Sequence, residues 1–387
     1  MNYLQSAQAL YEQMVRDRRH LHQHPEVGMD LPETCSYVMA RLTEMGYQPR
    51  RLGGGVTATV TGKPDGKVFL LRADMDALPM REESGLPFAS QRSCAHTCGH
   101  DMHTAMLLGA AQLLRDRAAE LNGTVKFMFQ PGEEVLSGAR SMIEAGILED
   151  PHVDAAMGAH MIPMIPAGLG GYGTGVVSAS SDHLVIRVEG RGGHGAHPQS
   201  TVDPINIGVH IHLALQELLS READPAELVV LTFGKFQGGD AANIIPSSAV
   251  LEGTLRTFSE PLRTHLLERI DTICTCTAEA FRGRAQVTDL CSTCSLQIDG
   301  DTAAAVAQGW QREGLKMLQR GEKMSGSEDF AEIAARVPST FFVVGGGTAQ
   351  DGCGVSLHNP KIRFREEALI YGAAAYASGA AMWLGLH

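Results

Sequence analysis

Hydrophobic and polar residues follow two different spacings in the first half of the chain. In some stretches apolar residues recur every three to four positions, which is typical of amphipathic helices. Elsewhere they form short blocks such as VTATV and VFLLRAD, which are typical of buried strands. The predicted elements are helices over 4–22, 103–120 and 137–146 and strands over 56–60, 68–74, 125–131 and 154–161. This alternation predicts an α/β fold with a mixed, largely parallel sheet and helices on both faces.

The pattern changes near residue 180 and changes back near residue 296. The block between these positions predicts strands over 183–190, 227–237, 249–258 and 284–291 and helices over 203–220 and 260–281. The order β-α-β-β-α-β is typical of a ferredoxin-like α+β unit. Helix and strand alternate again after this block, with a further strand over 340–347. We therefore predict one domain of residues 1–180 and 296–387, interrupted by an inserted domain of residues 181–295.

The length and the net charge of the chain limit the classes of protein to which it can belong. A chain of 387 residues exceeds one typical core, which favours two domains. The formal net charge of −12 argues against a nucleic-acid partner, because phosphate binding needs clustered basic residues. The first thirty residues contain no apolar stretch typical of signal peptides, so a cytoplasmic location is expected. Residues 368–387 contain no Asp, Glu, Lys or Arg but are rich in alanine and glycine, which predicts a buried helix rather than a membrane span.

Potential metal ligands are concentrated in HTCGHDMH, just before a predicted helix. Thiolate, imidazole and carboxylate groups bind divalent transition metals, and so many within eight positions are unusual for side chains that only pack. The groups are His96, Cys98, His100, Asp101 and His103. In a cytoplasmic chain the eight cysteines are expected to be reduced. The pairs Cys274/Cys276 and Cys291/Cys294 are weaker candidates, because they lie in helix or strand patterns without the turns of a zinc ribbon.

Further acidic and histidine side chains follow the predicted strands. They are Asp74, Asp76, Glu133, Glu134, His160 and His358. The strand ends of an open sheet form the edge where sites of such folds lie, so these groups and the histidine cluster are expected to converge. A Glu-Glu pair can supply a metal ligand from one residue and a general base from the other. The number of ligands suits two metal ions with a bridging water, an arrangement that hydrolyses amides.

Eight short motifs along the chain resemble one known family. They are RADMDALP, HTCGHDMH, QPGEE, GAH, GRGGHGAHP, AANIIP, GSEDF and LHNP. Together they resemble the aminoacylase, hippurate hydrolase and auxin-conjugate hydrolase family of co-catalytic metallopeptidases. The resemblance extends from RRHLHQHPE near the N-terminus to LHNP near the C-terminus. It implies a metal-binding catalytic domain interrupted by a lid and dimerisation domain, and an amidohydrolase that cleaves N-acyl amino acids.

The resemblance also implies roles for particular residues. Those that look like metal ligands are Cys98, His100, Glu134, His160 and His358. Glu133 resembles the general base that takes a proton from the attacking water and returns it to the leaving nitrogen. Asp76 resembles a carboxylate that orients a ligand. Two divalent ions are implied. The thiolate of Cys98 favours zinc, whereas similar proteins accept manganese, nickel or cobalt, so manganese or zinc is expected first.

In the inserted domain the resemblance implies groups that contact the substrate. His194 resembles a histidine that reaches from the partner subunit toward the tetrahedral intermediate, and Asn243 resembles a contact to the substrate carbonyl or carboxylate; both would stabilise an oxyanion. Arg256 and Ser327 are candidates to bind the substrate carboxylate. A surface arginine and a helix N-cap would also explain these two residues. The histidines interpreted as structural or supporting are His24, His103 and His197.

Three other functions stay open from the residues alone. A metallo-dipeptidase would share the metals but would have to bind a free α-amino group. A cysteine amidase or acyltransferase would use Cys98 as its nucleophile, with His100 or His103 as the base. A metal-dependent binding protein without turnover is disfavoured by the presence of Glu133.

Two glycine-rich stretches match the G-x-G-x-x-G pattern, at 168–173 and 190–195. Neither is followed by the helix that dinucleotide binding requires, so a nucleotide cofactor is not expected. The expected partners are a small N-acyl amino acid and further copies of the chain, forming a homodimer or higher homo-oligomer through the inserted domain. Neither nucleic acid nor membrane is expected as a partner.

Overall fold

The computed structural model of the chain describes residues 2–385, which fold into two compact units. The smaller unit consists of Ser178–Ser295 and Lys323–Ser327, and the other described residues form the larger unit. Each unit has its own hydrophobic core.

The described residues form ten α-helices and sixteen β-strands. The α-helices are α1 (Tyr3–Ala9), α2 (Tyr11–Gln23), α3 (Pro32–Glu44), α4 (His100–Asp116), α5 (Gly138–Glu144), α6 (Pro204–Glu217), α7 (Glu260–Ala280), α8 (Gly300–Glu313), α9 (Ala331–Ala334) and α10 (Ala368–Trp383). The strands are β1 (Arg50–Leu52), β2 (Gly55–Thr61), β3 (Lys67–Asp74), β4 (Gly123–Gln130), β5 (Ala155–Ile162), β6 (Leu169–Tyr172), β7 (Gly175–Ser178), β8 (Ser181–Glu189), β9 (Gly193–His194), β10 (Val229–Gly238), β11 (Ile244–Ile245), β12 (Ser248–Thr257), β13 (Arg284–Thr293), β14 (Leu296–Ile298), β15 (Lys316–Gln319) and β16 (Ser339–Gly345).

The larger unit is built on an eight-stranded sheet with the strand order β1-β2-β4-β3-β5-β16-β6-β15. Strands β4, β3, β5 and β16 run parallel, as do β6 and β15, whereas β1/β2, β2/β4 and β16/β6 are antiparallel. Strands β3 and β4 are buried along almost their whole length, as expected for strands in the middle of a covered sheet. The predicted mixed, largely parallel sheet is confirmed. The carboxyl ends of its four central parallel strands therefore lie on one edge.

The C-terminal helix is part of the core of the larger unit. Helix α10 packs against α4 and α8, and most of its residues are buried. Its small residues permit this close approach, since a Cβ atom added to Gly372 would lie 1.8 Å from Sδ of Met106. The predicted buried helix is confirmed over the described part of this segment. No helix in residues 2–385 combines the length and the apolar character needed to cross a bilayer.

The smaller unit is a four-stranded antiparallel sheet with the strand order β10-β12-β8-β13. Helices α6 and α7 pack on it through buried aliphatic residues such as Ile207, Leu215 and Ile270. The chain order β8-α6-β10-β12-α7-β13 is the predicted order of a ferredoxin-like unit. The segment Lys323–Ser327 returns to this unit, where the carbonyl of Met324 accepts a hydrogen bond from the N–H of Ala179 at 3.1 Å.

Two helix boundaries differ from the sequence prediction. The predicted helix over 4–22 is two helices that meet at Leu10. The predicted helix over 103–120 begins earlier, at His100, because Gly99 at its N-cap has a φ of 92°, a left-handed conformation that suits glycine. This earlier start brings His100 and Asp101 into the first turn of α4.

Candidate metal centre

The predicted metal ligands lie in the larger unit, where the central strands end and α4 begins. Cys98 precedes α4, His100 is its first residue, and Glu134 follows the end of β4. His160 lies near the carboxyl end of β5, and the backbone N–H of His358 donates to the carbonyl of Thr97 at 3.0 Å. These contacts bring together groups that are distant in the sequence.

Distances between the side chains define overlapping groups of three. Cys98, His100 and His160 each offer one ligand atom within 4.8 Å of the other two, as do Cys98, Glu134 and His358. Cys98 Sγ lies 3.3 Å from His160 Nε2, and Glu134 Oε1 lies 3.4 Å from His358 Nε2. Because the two groups share Cys98, the five side chains form one cluster of mixed sulfur, nitrogen and oxygen donors. Such donors suit divalent transition metals.

Several buried polar atoms in this cluster have no hydrogen-bond partner within residues 2–385. They are both ring nitrogens of His100 and Oε1 of Glu134. A buried polar group without a partner is costly, and native proteins rarely leave one unsatisfied. A bound cation would satisfy Oε1 of Glu134 and Nε2 of His100, while the proton on Nδ1 of His100 faces Oδ1 of Asp76 at 3.5 Å, so the side chains present fit a metal centre.

His160 is held in the form that a metal requires. Its Nδ1 lies 2.7 Å from the carbonyl oxygen of Met161, which places the ring proton on Nδ1 and leaves Nε2 with a free lone pair. Burial lowers the pKa of His160 and so favours the neutral ring. Its Nε2 atom is also the one that faces Cys98.

Asp76 holds the turn that carries the two glutamates. Its two carboxylate oxygens accept hydrogen bonds from the backbone N–H groups of Glu133, at 3.0 Å, and Glu134, at 3.1 Å. Its Oδ1 atom also lies 3.5 Å from Nδ1 of His100. A buried carboxylate in this position restrains both the glutamate turn and the His100 ring, which is the geometry expected of a group that orients ligands.

Glu133 is buried beside this cluster. Its Oε2 atom lies 3.9 Å from Nε2 of His100. Burial raises the pKa of Glu133 well above its usual range, and the nearby carboxylates of Glu328 and Asp329 raise it further. A carboxyl group with a raised pKa accepts and releases a proton more readily near neutral pH than an exposed glutamate does.

The surroundings of Cys98 help to decide whether this residue is a metal ligand or a catalytic nucleophile. The side chain is buried, and burial raises the pKa of its thiol well above the usual value. Nucleophilic attack requires the thiolate, and reactive cysteines have lowered pKa values. A metal ion would stabilise the thiolate at this position, so the surroundings favour a ligand over a nucleophile.

A buried ionic network lies behind the centre and was not found from the sequence. The guanidinium of Arg72 donates to Asp74 at 2.7 Å and to Gln130 at 2.8 Å, and it lies 2.8 Å from the carboxylates of Glu328 and Asp329. Arg72 is completely buried. Its signal in the sequence is an arginine inside the otherwise apolar strand VFLLRAD. The network fixes the ends of β3 and β4 relative to the segment after residue 327.

Replacing Arg72 with methionine is expected to lower the free energy of unfolding by about 3–5 kcal/mol, because three buried carboxylates lose their cation. The measurement is urea unfolding in the presence of chelator, so that metal loss does not contribute. Arg312→Met, at an exposed position of α8, serves as control and should change stability by no more than about 0.5 kcal/mol. Equal stability of the two variants would contradict the ionic network as a stabilising element.

Two of the histidines interpreted as structural have identified contacts. His103 Nδ1 lies 2.6 Å from Asp74, and its Nε2 accepts the N–H of Met161 at 2.8 Å, so both nitrogens are used within the protein. His24 Nδ1 lies 2.8 Å from the carbonyl oxygen of His20. These contacts support a structural interpretation of both residues.

In the smaller unit His194 and Asn243 lie next to each other. Strand β9, which ends at His194, pairs with β11, and the N–H of Gly195 donates to the carbonyl of Asn243 at 2.9 Å. Both residues are exposed. The His194 ring accepts the N–H of Ala196 through Nδ1 at 3.1 Å, which leaves Nε2 as the ring atom not used in that bond.

The predicted position of Ser327 at a helix N-terminus is wrong. The short helix α9 begins at Ala331 with Phe330 as its N-cap, so Ser327 lies four residues before the helix. The prediction failed because the acidic pair that follows the serine, in GSEDF, imitates the start of a helix. Arg256 Nη1 donates to the carbonyl of Ser325 at 3.2 Å, which places its guanidinium beside the same segment.

Comparison with known proteins gives consistent matches along the chain. The model of "Peptidase family M20/M25/M40" matches residues 70–381. An N-acetyl-L-cysteine deacetylase of Bacillus subtilis is 36% identical over 93% of this chain and 86% of that protein, and an IAA-amino acid hydrolase of Arabidopsis thaliana is 36% identical over 97% and 86%. A crystal structure from Bacillus subtilis, described as a dinuclear metal-binding peptidase from the M20 family, superposes with a TM-score of 0.83 at 32% identity over 98% of this chain and 100% of that one. The chain therefore belongs to the peptidase family M20/M25/M40.

Proposed function

We propose that the chain is a metal-dependent amidohydrolase that cleaves N-acyl amino acids into a carboxylic acid and a free amino acid. The observation that carries this proposal is the convergence of five metal-binding side chains, with unpartnered buried atoms, beside the buried carboxyl group of Glu133. Relatives named for deacetylation of N-acetylcysteine and hydrolysis of IAA-amino acids support the substrate class. The bond broken is the amide C–N bond.

The proposed ligands form two overlapping sites for divalent ions. Their members are Cys98, His100, Glu134, His160 and His358. The cluster geometry and the similarity to a dinuclear peptidase support a pair of ions. We propose manganese or zinc as the native metal, with nickel or cobalt as acceptable substitutes, because the cluster combines a thiolate with imidazole and carboxylate donors.

In the proposed reaction Glu133 transfers one proton from water to the leaving group. When bound, the two ions would polarise the substrate carbonyl and lower the pKa of a water molecule. The Glu133 carboxylate takes a proton from the attacking water as the new C–O bond forms, and it delivers this proton to the nitrogen of the leaving amino acid as the tetrahedral intermediate breaks its C–N bond. Asp76 keeps Glu133 in place through the backbone of the glutamate turn.

Polar groups of the smaller unit are proposed to bind the substrate. His194 and Asn243 are neighbours on its surface, so when His194 reaches the developing oxyanion from the partner subunit, Asn243 of that same subunit would donate to it as well. Arg256 and Ser327 are proposed to bind the carboxylate of the substrate. The bond from Arg256 to Ser325 supports this pairing, since it places the guanidinium beside the segment that carries Ser327.

The two units are proposed to be a catalytic domain and a lid that also forms a homodimer. The smaller unit has an edge strand, β10, and α6 exposes Val209 and Leu213 with 43% and 61% of their surface accessible. Edge strands and exposed apolar side chains are typical of surfaces that bind another chain. None of the eight cysteines, all of which lie in the described residues, forms a disulfide bond, and this supports the cytoplasm as the proposed location.

Replacing Leu213 with glutamate is expected to lower the molar mass measured by light scattering from that of a dimer to that of one chain. Leu290→Glu is the matched control, because Leu290 is exposed to a similar extent on β13 at the other edge of the same sheet. If Leu290→Glu dissociates the dimer and Leu213→Glu does not, the dimer contact lies at the β13 edge of the sheet and not beside α6. A wild-type mass of one chain would contradict the dimer.

Hydrolysis of a panel of N-acyl amino acids and dipeptides by the metal-loaded protein tests the substrate class. We expect turnover of acetylated or benzoylated amino acids, with release of a free amino group, at a higher kcat/KM than for dipeptides of the same C-terminal residue. A preference for dipeptides would favour the metallo-dipeptidase, which must recognise a free α-amino group.

A further inference from the structure

The segment that carries two residues of the proposed centre has little regular structure of its own. Residues 75–99 connect β3 to α4 and contain Asp76 and Cys98, but strand-like backbone pairing in this stretch is limited to isolated bridges. A connection of this length depends on side-chain contacts to hold its shape. The position of Cys98 therefore depends on what anchors the segment.

His22 of α2 makes the contacts that join this segment to α4. Its Nε2 lies 3.0 Å from Glu82 Oε1, within the segment, and its Nδ1 lies 2.8 Å from Asp101 Oδ2, next to His100 in the first turn of α4. All three side chains are at least 95% buried. One imidazole ring thus bridges two buried carboxylates, one on each side of Cys98.

Neighbouring contacts make the bridge rigid. Arg18, one turn earlier on α2, donates to the same Asp101 oxygen at 2.7 Å, and its guanidinium lies 4.7 Å from the ring centre of Phe88 in the segment. The second carboxylate oxygen of Glu82 accepts the backbone N–H of Ser90 at 2.7 Å. Without His22, Glu82 would keep only contacts within its own segment and lose its cation, so its burial would become unfavourable.

We propose that His22 is a positioning residue of the metal centre. It joins Glu82 to Asp101 and thereby holds the segment 75–99, which carries Cys98, against the first turn of α4, which carries His100, before metal binds. Arg18 and His22 belong to the sequence motif RRHLHQHPE, which contributes no residue to the proposed reaction. The inference rests on the proposed function, because it requires Cys98 and His100 to be ligands.

The test compares His22→Gln with His20→Gln in the full-length chain. His20 is exposed on the same helix, so it controls for the loss of a histidine from α2. Both variants are stripped with chelator and titrated with Co²⁺, well below their unfolding temperatures. Two quantities are recorded: the Co²⁺ affinity by competition with a chelator, and the near-ultraviolet thiolate-to-cobalt absorption, which reports whether Cys98 is bound.

We expect His22→Gln to bind Co²⁺ about 10–100-fold more weakly than wild type, as is typical when a group supporting a ligand is lost, with a weakened thiolate band. His20→Gln should match wild type in both its Co²⁺ affinity and its thiolate band. Wild-type affinity and band in His22→Gln, even with a lower unfolding temperature, would overturn the inference, because His22 would then stabilise the fold alone. An absent thiolate band in wild type would instead refute the proposed ligand set.

A second pair of variants keeps the test decisive if His22→Gln does not fold. Glu82→Gln removes the charge that His22 pairs with, and Glu83→Gln changes the adjacent, exposed residue. We expect the same direction of change in Co²⁺ affinity and thiolate band for Glu82→Gln and none for Glu83→Gln. Equal Co²⁺ affinity and an equal thiolate band in Glu82→Gln and Glu83→Gln would overturn the inference.

Discussion

Replacing Glu133 with glutamine is expected to lower kcat for an N-acyl amino acid by about 10²–10⁴-fold, because an amide cannot take the proton of the attacking water. The substitution preserves the size of the side chain, and Asp76 binds the backbone of residue 133, not its carboxyl group. KM and metal content should therefore stay close to wild type. The measurement is steady-state hydrolysis together with metal analysis of the same preparation.

Glu144→Gln is a suitable control, since it makes the same chemical change at an exposed position at the end of α5. It should leave kcat unchanged. A Glu133→Gln protein that keeps more than a tenth of wild-type kcat would show that another group moves the proton. Loss of bound metal in this variant would instead show that Glu133 is a ligand.

Replacing Cys98 with serine is expected to abolish activity through loss of metal. The thiol is shared by both groups of ligands, so its removal weakens the whole cluster. We expect the metal affinity to fall by more than about 100-fold, exceeding the loss typical of a supporting group. Affinity is measured by chelator competition, and activity is then assayed at increasing metal concentration, where partial recovery is expected.

This variant also separates ligand from nucleophile. If Cys98 forms a covalent intermediate, Cys98→Ser will bind metal as wild type does and still be inactive at any metal concentration. Cys94→Ser provides the control, because Cys94 lies in the same segment but donates to the carbonyl of Pro25 at 3.2 Å. It should retain both metal and turnover.

The fold could be predicted from the sequence wherever the periodicity was strong. The apolar runs of β3, β4 and β16 and the β-α-β-β-α-β block of the smaller unit follow directly from the spacing of hydrophobic residues. The short strands β6 and β15 were not predicted, because four residues are too few to show a period. Helix α3 was also missed. Its buried residues are Thr34, Cys35, Val38 and Leu42, and the polar threonine among them weakens the apolar period.

The candidate site could be predicted in part. The residues with ligand chemistry lie in dense motifs, and the rule that parallel strands end on one edge brings them together. The supporting contacts could not be predicted, because they join distant parts of the chain: Arg72 to Glu328 and Asp329, and His22 to Glu82 and Asp101. The Arg72 network leaves a sequence signal, an arginine inside an apolar strand, whereas α2 is rich in charged residues, so Arg18 and His22 do not stand out in it.

The most direct test of metal-dependent hydrolysis measures amino acid release from an N-acetyl amino acid by protein stripped of metal and then reloaded. Manganese, zinc, cobalt and nickel are added separately, and the residual metal of the stripped protein is quantified. We expect activity to disappear on stripping and to return with at least one of these ions at about two equivalents per chain. Wild-type turnover by protein that retains no measurable metal would contradict the proposed function.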